Sequence, residues 1–285
     1  MLKKDIYNFW KKLGLNQVEI DLILQKITGF NKNQLFLTEK IDEKFLEKIE
    51  LFFSRIVSGE PLEYILEKAE FFSLDFFVDK RTLIPRNDTE IMVEKVLDEK
   101  CDILVDVWTG SSCIAISVLK NNKDIKKCFV IDLSKKALEV SKINILKYNL
   151  EKKIKQINWN LLEKFMLNTK YLENNWNINL KNIIFTANLP YIKNWDFWNI
   201  DKEIIEFEPD LALYWWEKTG FELYEKLIYQ IFELESIYNI KNIILFIEIG
   251  FDQKEICENF LNKKDLKFEI FKDNSWIDRC VKIIF

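Results

Sequence analysis

The chain has 285 residues, room for one large domain or two smaller ones, and is 48% hydrophobic and 31% charged, which excludes a disordered chain. The 42 basic residues are matched by 46 acidic residues, so a net charge of -4 gives no overall basic field for nucleic acid. Histidine is absent, which excludes histidine acid–base catalysis, Ser-His-Asp chemistry and histidine metal sites. Glycine occurs 6 times and tryptophan 9 times, whereas average usage predicts about 20 glycines.

The cysteine pattern and the N-terminal residues predict a cytoplasmic protein. Five scattered cysteines without C-x-x-C spacing are typical of reduced thiols in a cytoplasmic protein. Charged residues interrupt every apolar stretch of the N-terminus, so no signal peptide is expected. No run of about 18 apolar residues exists, so no membrane-spanning segment is expected either.

Residues 1–68 are predicted to form a small helical domain. An apolar helix face over residues 18–27 is followed by Gly29 as a stop signal, and a second helix is expected over residues 42–57. The pattern leaves open whether this domain recognises a partner or only packs on the rest of the chain. The following residues, 69–86, are aromatic and partly alternating, which indicates a β-hairpin linker.

Residues 87–285 are predicted to form an α/β domain. A helix over residues 89–99, capped by Asp88 or Thr89, opens it. Seven strands are expected, at Ile103–Val107, Cys128–Asp132, Lys155–Ile157, Asn182–Ala187, Ile243–Ile249, Lys267–Phe271 and Val281–Phe285. Further helices are expected at Ser111–Asn121, Lys135–Tyr148 and Phe221–Leu234. This alternation predicts a seven-stranded, doubly wound and mostly parallel sheet.

Two of these strands end in acidic residues at positions suited to ligand binding. Asp106 ends the first strand, and a loop of small residues leads from it into a helix whose backbone N–H groups favour an anion. Asp132 ends the second strand, where a carboxylate can accept hydrogen bonds from two ribose hydroxyls. The alternative for Asp132 is a helix cap, a role that Ser134 could also fill.

The fourth strand leads into Asn188, Leu189, Pro190 and Tyr191. Pro190 restricts Leu189 to an extended backbone, which holds the Leu189 carbonyl and the Asn188 side-chain oxygen in a fixed geometry. Two fixed acceptors suit a planar NH2 donor, and Tyr191 offers a flat face for stacking. A bare N-x-P-Y segment is more often an ordinary loop, and its place after a parallel strand is what favours the functional interpretation.

Together these residues resemble class I S-adenosylmethionine-dependent methyltransferases that modify planar NH2 groups. A narrower resemblance rests on the loop after Asp106 and on GEPLEYILEKAEFF (59–72), LIPRNDTE (83–90), NLPYI (188–192), FEPDLAL (207–213), IEIGFDQ (247–253) and DRCVKI (278–283). With these segments, in this order over about residues 45–285, the chain resembles the release factor glutamine methyltransferase family. The resemblance implies methylation of the glutamine N5 atom in the Gly-Gly-Gln motif of peptide chain release factors, with the helical domain helping to grip the release factor.

The resemblance also implies the site residues. Cofactor contacts are expected from Asp106, Trp108, Thr109, Gly110, Ser111, Ser112, Asp132, Asn160, Leu161 and Asn188. Asn188, Leu189, Pro190 and Tyr191 would bind the target amide and carry catalysis. Leu189 replaces the commoner proline, but only its carbonyl is needed, and Asn160 keeps an acceptor where the family usually has an acid. S-adenosylmethionine is the expected cofactor, without a metal, and a monomer that contacts neither membrane nor nucleic acid is expected.

Several tryptophans occupy positions where the family has glycine. They are Trp108, Trp215, Trp216 and Trp276, together with Trp159, where glycine or serine is common. Glycine serves where the backbone takes positive φ or approaches a ligand, so an indole there should block the cofactor or strain the turn. Two interpretations remain open. Either the protein is a degenerate, non-catalytic binding homologue, or these codons are UGA triplets read as glycine by the organism. Ser112, Ser73 and Glu67 also replace frequent family glycines.

Two other substrates remain open. A glutamine in a ribosomal protein would need the same chemistry. A nucleic-acid adenine N6-methyltransferase shares the Asn-x-Pro-Tyr logic, but the acidic charge balance disfavours it.

Overall fold

The computed structural model describes residues 1–163, 182–191, 206–213, 219–238, 240 and 242–285. These residues divide into two compact units. The first holds residues 1–68 with 206–207, and the second holds the other described residues from 69 onward. Within these ranges no helix combines the length and the apolar character that crossing a bilayer requires.

The first unit is helical. Its helices are α1 (Lys3–Lys11), α2 (Gln17–Thr28), α3 (Lys32–Leu37), α4 (Leu46–Val57) and α5 (Leu62–Leu66). A capping box opens α2, because Asn16 Oδ1 accepts from the Glu19 N–H at 3.1 Å and the Glu19 carboxylate accepts from the Asn16 N–H at 2.8 Å. Gly29 ends the same helix in the left-handed region with φ 74°, as the sequence predicted. The apolar faces of these helices meet around Trp10, which is 1% exposed.

The helix predicted over residues 42–57 begins later than expected. Glu43–Phe45 form a 3-10 turn, and the α-helix starts at Leu46. Asp42 is the reason, because its side chain accepts a hydrogen bond from the Lys44 N–H at 3.1 Å and holds the chain in a tighter turn.

The second unit opens with a short hairpin. Strands β1 (Ala69–Phe71) and β2 (Leu74–Phe76) pair antiparallel through a two-residue turn. The predicted linker, residues 69–86, is therefore regular only in its first half, and after a 3-10 turn at Asn87–Thr89 the chain enters α6 (Glu90–Leu97). The Thr89 hydroxyl does not cap this helix as predicted, because it donates to Glu248 instead.

Seven strands form one sheet. They are β3 (Ile103–Val107), β4 (Lys127–Asp132), β5 (Ile154–Asn158), β6 (Asn182–Ala187), β7 (Asn242–Glu248), β8 (Lys267–Lys272) and β9 (Asp278–Ile284). Their order is β5-β4-β3-β6-β7-β9-β8, with the first five parallel and the last two antiparallel to their neighbours. The strand β3 is apolar at four of five positions and buried at all five because it lies in the middle of the sheet. The predicted fold class is confirmed.

The helices of this unit pack on the sheet. Besides α6 they are α7 (Cys113–Asn121), α8 (Lys135–Lys147), α9 (Asp210–Leu213), α10 (Glu222–Tyr238) and α11 (Lys254–Lys263). The helix α7 begins two residues later than predicted, because Ser112 has φ 64° and cannot lie within a right-handed helix. The helix α10 extends four residues beyond its predicted end at Leu234.

Candidate functional site

The site begins at Asp106, which holds the loop between β3 and α7. The side chain is 1% exposed, and its two oxygens accept from Thr109 Oγ1 at 2.5 Å and from Thr186 Oγ1 at 2.7 Å. Burial raises the pKa of Asp106 to about 6, while these hydrogen bonds oppose the rise. The Asp106 carboxylate therefore connects the loop after β3 to β6. The hydrogen bonds described for this carboxylate are all made with other groups of the protein.

The loop after Asp106 turns through three left-handed residues. Trp108 has φ 64°, Gly110 has φ 53° and Ser112 has φ 64°. For a residue with a Cβ atom this region costs about 1–2 kcal/mol. Trp108 is 9% exposed, and its backbone N–H donates to the Ile131 carbonyl at 2.8 Å, which fixes the start of the turn beside β4. The loop therefore needs positive φ where the sequence has tryptophan and serine.

The same geometry recurs at the other described positions where the family pattern has glycine. Trp276 has φ 64°, Ser73 φ 57° and Glu67 φ 53°. Trp159 differs, because it is not left-handed, whereas Leu161 two residues later has φ 48°. Trp215 and Trp216 lie outside the described residues. At five of the six described positions the backbone therefore takes the conformation that glycine adopts most readily.

Asp132 lies at the end of β4 against this loop. Its Oδ2 accepts from the Gly110 N–H at 2.9 Å and its Oδ1 from the Ser134 N–H at 2.8 Å, and the side chain is 3% exposed. Ser134 caps α8 by accepting from the Ala137 N–H at 3.2 Å, so the carboxylate of Asp132 is not used as the cap. Burial raises the pKa of Asp132 to about 6. A carboxylate accepts about four hydrogen bonds, which leaves capacity for hydroxyl donors.

Asn160 and Leu161 follow the carboxyl end of β5, at the same edge of the sheet as Asp132. The Asn160 Oδ1 atom is buried and accepts no hydrogen bond from the described residues. Leu161 is 1% exposed and packs in the core of the unit. A buried acceptor without a partner is costly, so the Asn160 Oδ1 atom is a candidate to accept an N–H donor from a ligand.

Two cavities adjoin the loop after Asp106. Of the predicted cofactor residues, Asp106, Ser112, Asn160 and Leu161 do not line either cavity. One of ≈ 690 Å³ is lined by the loop residues Trp108–Ser111, by Asp132 and Ser134, and by Thr89, Arg81 and Asn188 among others. The other, of ≈ 450 Å³, is lined by Asn188, Leu189, Pro190, Tyr191 and Glu248 among others. Four residues line both cavities: Leu83, Arg86, Asn188 and Ala212. Asn188 therefore lies at the boundary of the two cavities, where a ligand bound in the first would contact a ligand bound in the second.

The backbone at Leu189 is fixed by Tyr224 on α10. The Leu189 N–H donates to the Tyr224 hydroxyl at 3.0 Å, and that hydroxyl donates to the Glu248 carbonyl at 2.5 Å. The Leu189 carbonyl lies 3.4 Å from the same hydroxyl, whose single proton is already used in the shorter bond. The carbonyl of Leu189 thus keeps accepting capacity at the wall of the second cavity.

Two glycines press against Tyr191. A Cβ atom at Gly220 would lie 2.3 Å from the Tyr191 carbonyl oxygen, and a Cβ atom at Gly250 would lie 3.2 Å from the Tyr191 ring. Gln253, 1% exposed, joins the two segments, because it accepts from the Gly250 N–H at 3.0 Å and donates to the Thr219 carbonyl at 3.3 Å. Because neither glycine has a side chain, Tyr191 can pack this closely against both segments.

An ion pair that the sequence analysis missed supports the wall shared by the cavities. Arg86 Nη2 donates to Glu208 Oε1 at 2.5 Å, and the Ile84 N–H donates to Glu208 Oε2 at 3.3 Å. The Glu208 side chain is 1% exposed and that of Arg86 36%. Thr89 and Glu248 were also missed as site residues. Glu248 could have been found from the expected pairing of two strands. The strands β6 and β7 are parallel neighbours in which Ala187 pairs with Ile247. The next residues, Asn188 and Glu248, therefore lie side by side.

The order and directions of the strands are those of the class I methyltransferase fold. Comparison with solved structures supports the fold: the hMettl16 catalytic domain in complex with a MAT2A 3′UTR hairpin aligns with TM-score 0.55 and 13% identity over 74% of this chain and 75% of that one. No protein-family profile matches the chain.

Comparison with curated proteins narrows the class. A release factor glutamine methyltransferase of Mycoplasma mycoides is 33% identical over 94% of this chain and 93% of its own length. Proteins of the same name from Flavobacterium psychrophilum and Clostridium botulinum are 32% and 31% identical, over 93% and 99% of this chain and 90% and 99% of their own lengths. The chain belongs to the release factor glutamine methyltransferase family, and the family predicted from the motifs is confirmed.

Proposed function

We propose that this methyltransferase transfers a methyl group from S-adenosylmethionine to the N5 atom of the glutamine in the Gly-Gly-Gln motif of peptide chain release factors. Relatives named release factor glutamine methyltransferase support a release factor as the substrate. The observation that carries the reaction is the place of Asn188, which lines both cavities. A residue that holds the amide to be methylated against the methyl donor must contact both of these ligands.

The first cavity fits S-adenosylmethionine by the chemistry of the groups in and near its wall. Asp132 lines it and has spare acceptor capacity for ribose hydroxyls. The unpartnered Oδ1 of Asn160, which lies outside the lining, suits the amino group of adenine. The loop Trp108–Ser112, held by Asp106, would enclose the methionine end, with Leu161 against the base. When bound, S-adenosylmethionine would supply an electrophilic methyl group on a sulfonium centre, with S-adenosylhomocysteine as the neutral leaving group and one proton of the methylated nitrogen released to water.

The second cavity fits a primary amide. An amide nitrogen is a weak nucleophile because its lone pair is delocalised into the carbonyl. The Asn188 Oδ1 atom and the Leu189 carbonyl would accept the two N–H bonds of the glutamine, orient its nitrogen and stabilise the positive charge that develops on it. Pro190 keeps the Leu189 backbone extended, and Tyr191 forms the flat wall. Positioning therefore supplies most of the catalysis.

The helical unit, residues 1–68, is proposed to help grip the release factor, and the protein is proposed to act as a monomer without direct nucleic-acid contact. The expectation of a cytoplasmic location belongs to the same proposal. All of these rest on the family resemblance and on the charge balance of the chain.

A methylation assay tests the proposal. A release factor, a ribosomal protein and a nucleic acid are each offered with labelled S-adenosylmethionine to the chain as written and to a form with glycine at positions 108, 159, 215, 216 and 276. We expect label only on the release factor glutamine, and no label when Asn188→Ala is used. Label on adenine or on the ribosomal protein would overturn the substrate assignment. Absence of label from both forms, together with absence of S-adenosylmethionine binding in calorimetry, would indicate the non-catalytic homologue.

A further inference from the structure

Behind the proposed catalytic residues lies a buried carboxylate that the mechanism above does not use. Glu248 ends β7 and is 3% exposed. Its Oε2 accepts from Thr89 Oγ1 at 2.5 Å, and its Oε1 accepts from the Tyr191 hydroxyl at 3.3 Å. Thr89 is itself 3% exposed, so this hydrogen bond is made away from water.

Asn188 is joined to this pair through its amide nitrogen. The Nδ2 atom donates to Thr89 Oγ1 at 3.4 Å. Burial raises the pKa of Glu248, and hydrogen bonds from Thr89, Tyr191 and Asn188 together with the charge of Arg279 oppose that rise. The hydroxyls of Thr89 and Tyr191 therefore donate to one carboxylate, and the Asn188 amide donates to the Thr89 oxygen.

The direction of these hydrogen bonds follows from proton counting. An ionised Glu248 carboxylate can only accept, so Thr89, whose hydroxyl has one proton, gives that proton to Glu248. The Thr89 oxygen can then only accept from Asn188, so the Asn188 nitrogen must face Thr89. A reversed amide would set two oxygens against each other without a proton between them. The Asn188 Oδ1 atom is thereby left on the other side of the amide plane.

We propose that Thr89 and Glu248 are positioning residues that fix the amide orientation of Asn188, so that its oxygen is always available to the substrate NH2 group. This inference rests on the proposed function, because it assigns Asn188 the role of acceptor. It extends that function by naming two cavity-lining residues that act through Asn188 and not on the reacting atoms. Without the pair, the Asn188 amide would rotate, and in the reversed orientation its NH2 group would repel the N–H donors of the substrate.

The test compares Thr89→Val, which removes the hydroxyl and keeps the shape, with Thr89→Ser, which keeps the hydroxyl. Each is measured in whichever form of the chain turns over the release factor. We expect Thr89→Val to lower kcat by about tenfold, the effect of losing one hydrogen bond, with the dissociation constant for S-adenosylmethionine changed by less than about threefold. Thr89→Ser should retain most of kcat. An unchanged kcat in Thr89→Val would overturn the inference.

A second variant and a second readout keep the result independent of folding and of the substrate. Glu248→Gln fills the same volume but can offer Thr89 a donor, so the hydroxyl direction is no longer fixed and kcat should fall with cofactor affinity retained. In protein labelled with ¹⁵N-asparagine, the Asn188 NH2 protons should exchange slowly with solvent and lose this protection in Thr89→Val. Unchanged protection contradicts the positioning role. An unaltered chain that leaves the release factor unmethylated contradicts the proposed function instead, and the exchange comparison still decides the positioning role.

Discussion

The Oδ2 atom of Asp132 accepts a hydrogen bond from the Gly110 N–H at 2.9 Å, which joins the end of β4 to the loop after β3. One carboxylate therefore both shapes the loop and faces the cavity proposed for S-adenosylmethionine. Because the loop and the acid are coupled, changes at either should appear in cofactor affinity first.

The charge state of Asp132 should govern cofactor binding below neutral pH. Its pKa is raised to about 6, so the carboxyl group becomes protonated as the pH falls through that value and accepts fewer hydrogen bonds from ribose. The dissociation constant for S-adenosylmethionine should therefore rise about tenfold between about pH 8 and about pH 5, measured by calorimetry. Asp132→Asn should bind weakly at both values. Asp106, whose pKa is also about 6, stays intact in that variant, so a full pH dependence there would assign the effect to Asp106.

Trp108→Gly should tighten binding of S-adenosylmethionine. The indole lines the cavity at a left-handed residue, and glycine frees both the space and the backbone. We expect an affinity gain of at least about tenfold in calorimetry. The control is Trp276→Gly, which has the same φ of 64° but is 80% exposed in the turn between β8 and β9. It should leave cofactor affinity unchanged and raise the free energy of unfolding by up to about 1 kcal/mol. Equal affinities in all three proteins would contradict the role given to position 108.

Gly220→Ala should damage the second cavity through Tyr191. Its Cβ atom would lie 2.3 Å from the Tyr191 carbonyl oxygen at a residue with φ 74°. Gly29→Ala is the matched control, because Gly29 has the same φ of 74° and no atom within 4 Å of the added Cβ. Gly29→Ala should cost only the backbone term of about 1–2 kcal/mol in urea unfolding, whereas Gly220→Ala should cost more and lower kcat. Equal losses of stability would show that the contact with Tyr191 is easily relieved.

Arg86→Met should destabilise the wall between the cavities. It leaves the Glu208 carboxylate buried without its ion partner, which is expected to cost about 3 kcal/mol. The comparison is Lys226→Met, which breaks the exposed pair with Glu163, whose side chains are 46% and 43% exposed. That change should cost less than about 1 kcal/mol. Denaturant unfolding of both variants measures the difference, and a cost of Arg86→Met as small as that of Lys226→Met would contradict the structural role.

Short apolar runs predicted much of the fold, because a buried parallel strand such as Ile103–Val107 is apolar at every position except Asp106. The ends of these strands also indicated the site, since Asn188 follows the last residue of β6. Helix starts were predicted less well. Asp42 and Ser112 shifted two of them through a local hydrogen bond and a left-handed residue, which hydrophobic patterning does not register.

The residues behind the site escaped prediction for a different reason. Thr89 lies about 160 residues from Glu248 in sequence, and only the packing of α6 on the sheet brings the hydroxyl to the carboxylate. The contacts of Gly220 and Gly250 with Tyr191 could not be predicted from the sequence either, because they depend on how closely Tyr191 approaches these glycines in the folded chain. The tryptophans at family glycine positions were detected from the motif, and the structure supplies the left-handed backbone at Trp108 and Trp276.

The most direct measurement is mass spectrometry of a release factor peptide that contains the Gly-Gly-Gln motif, after incubation with S-adenosylmethionine and either the glycine form of the chain or its Asn188→Ala variant. The account predicts one added methyl group on the glutamine side chain with the first protein and none with the second. An unmodified glutamine with the first protein despite measurable cofactor binding, or equal methylation by both, would contradict it.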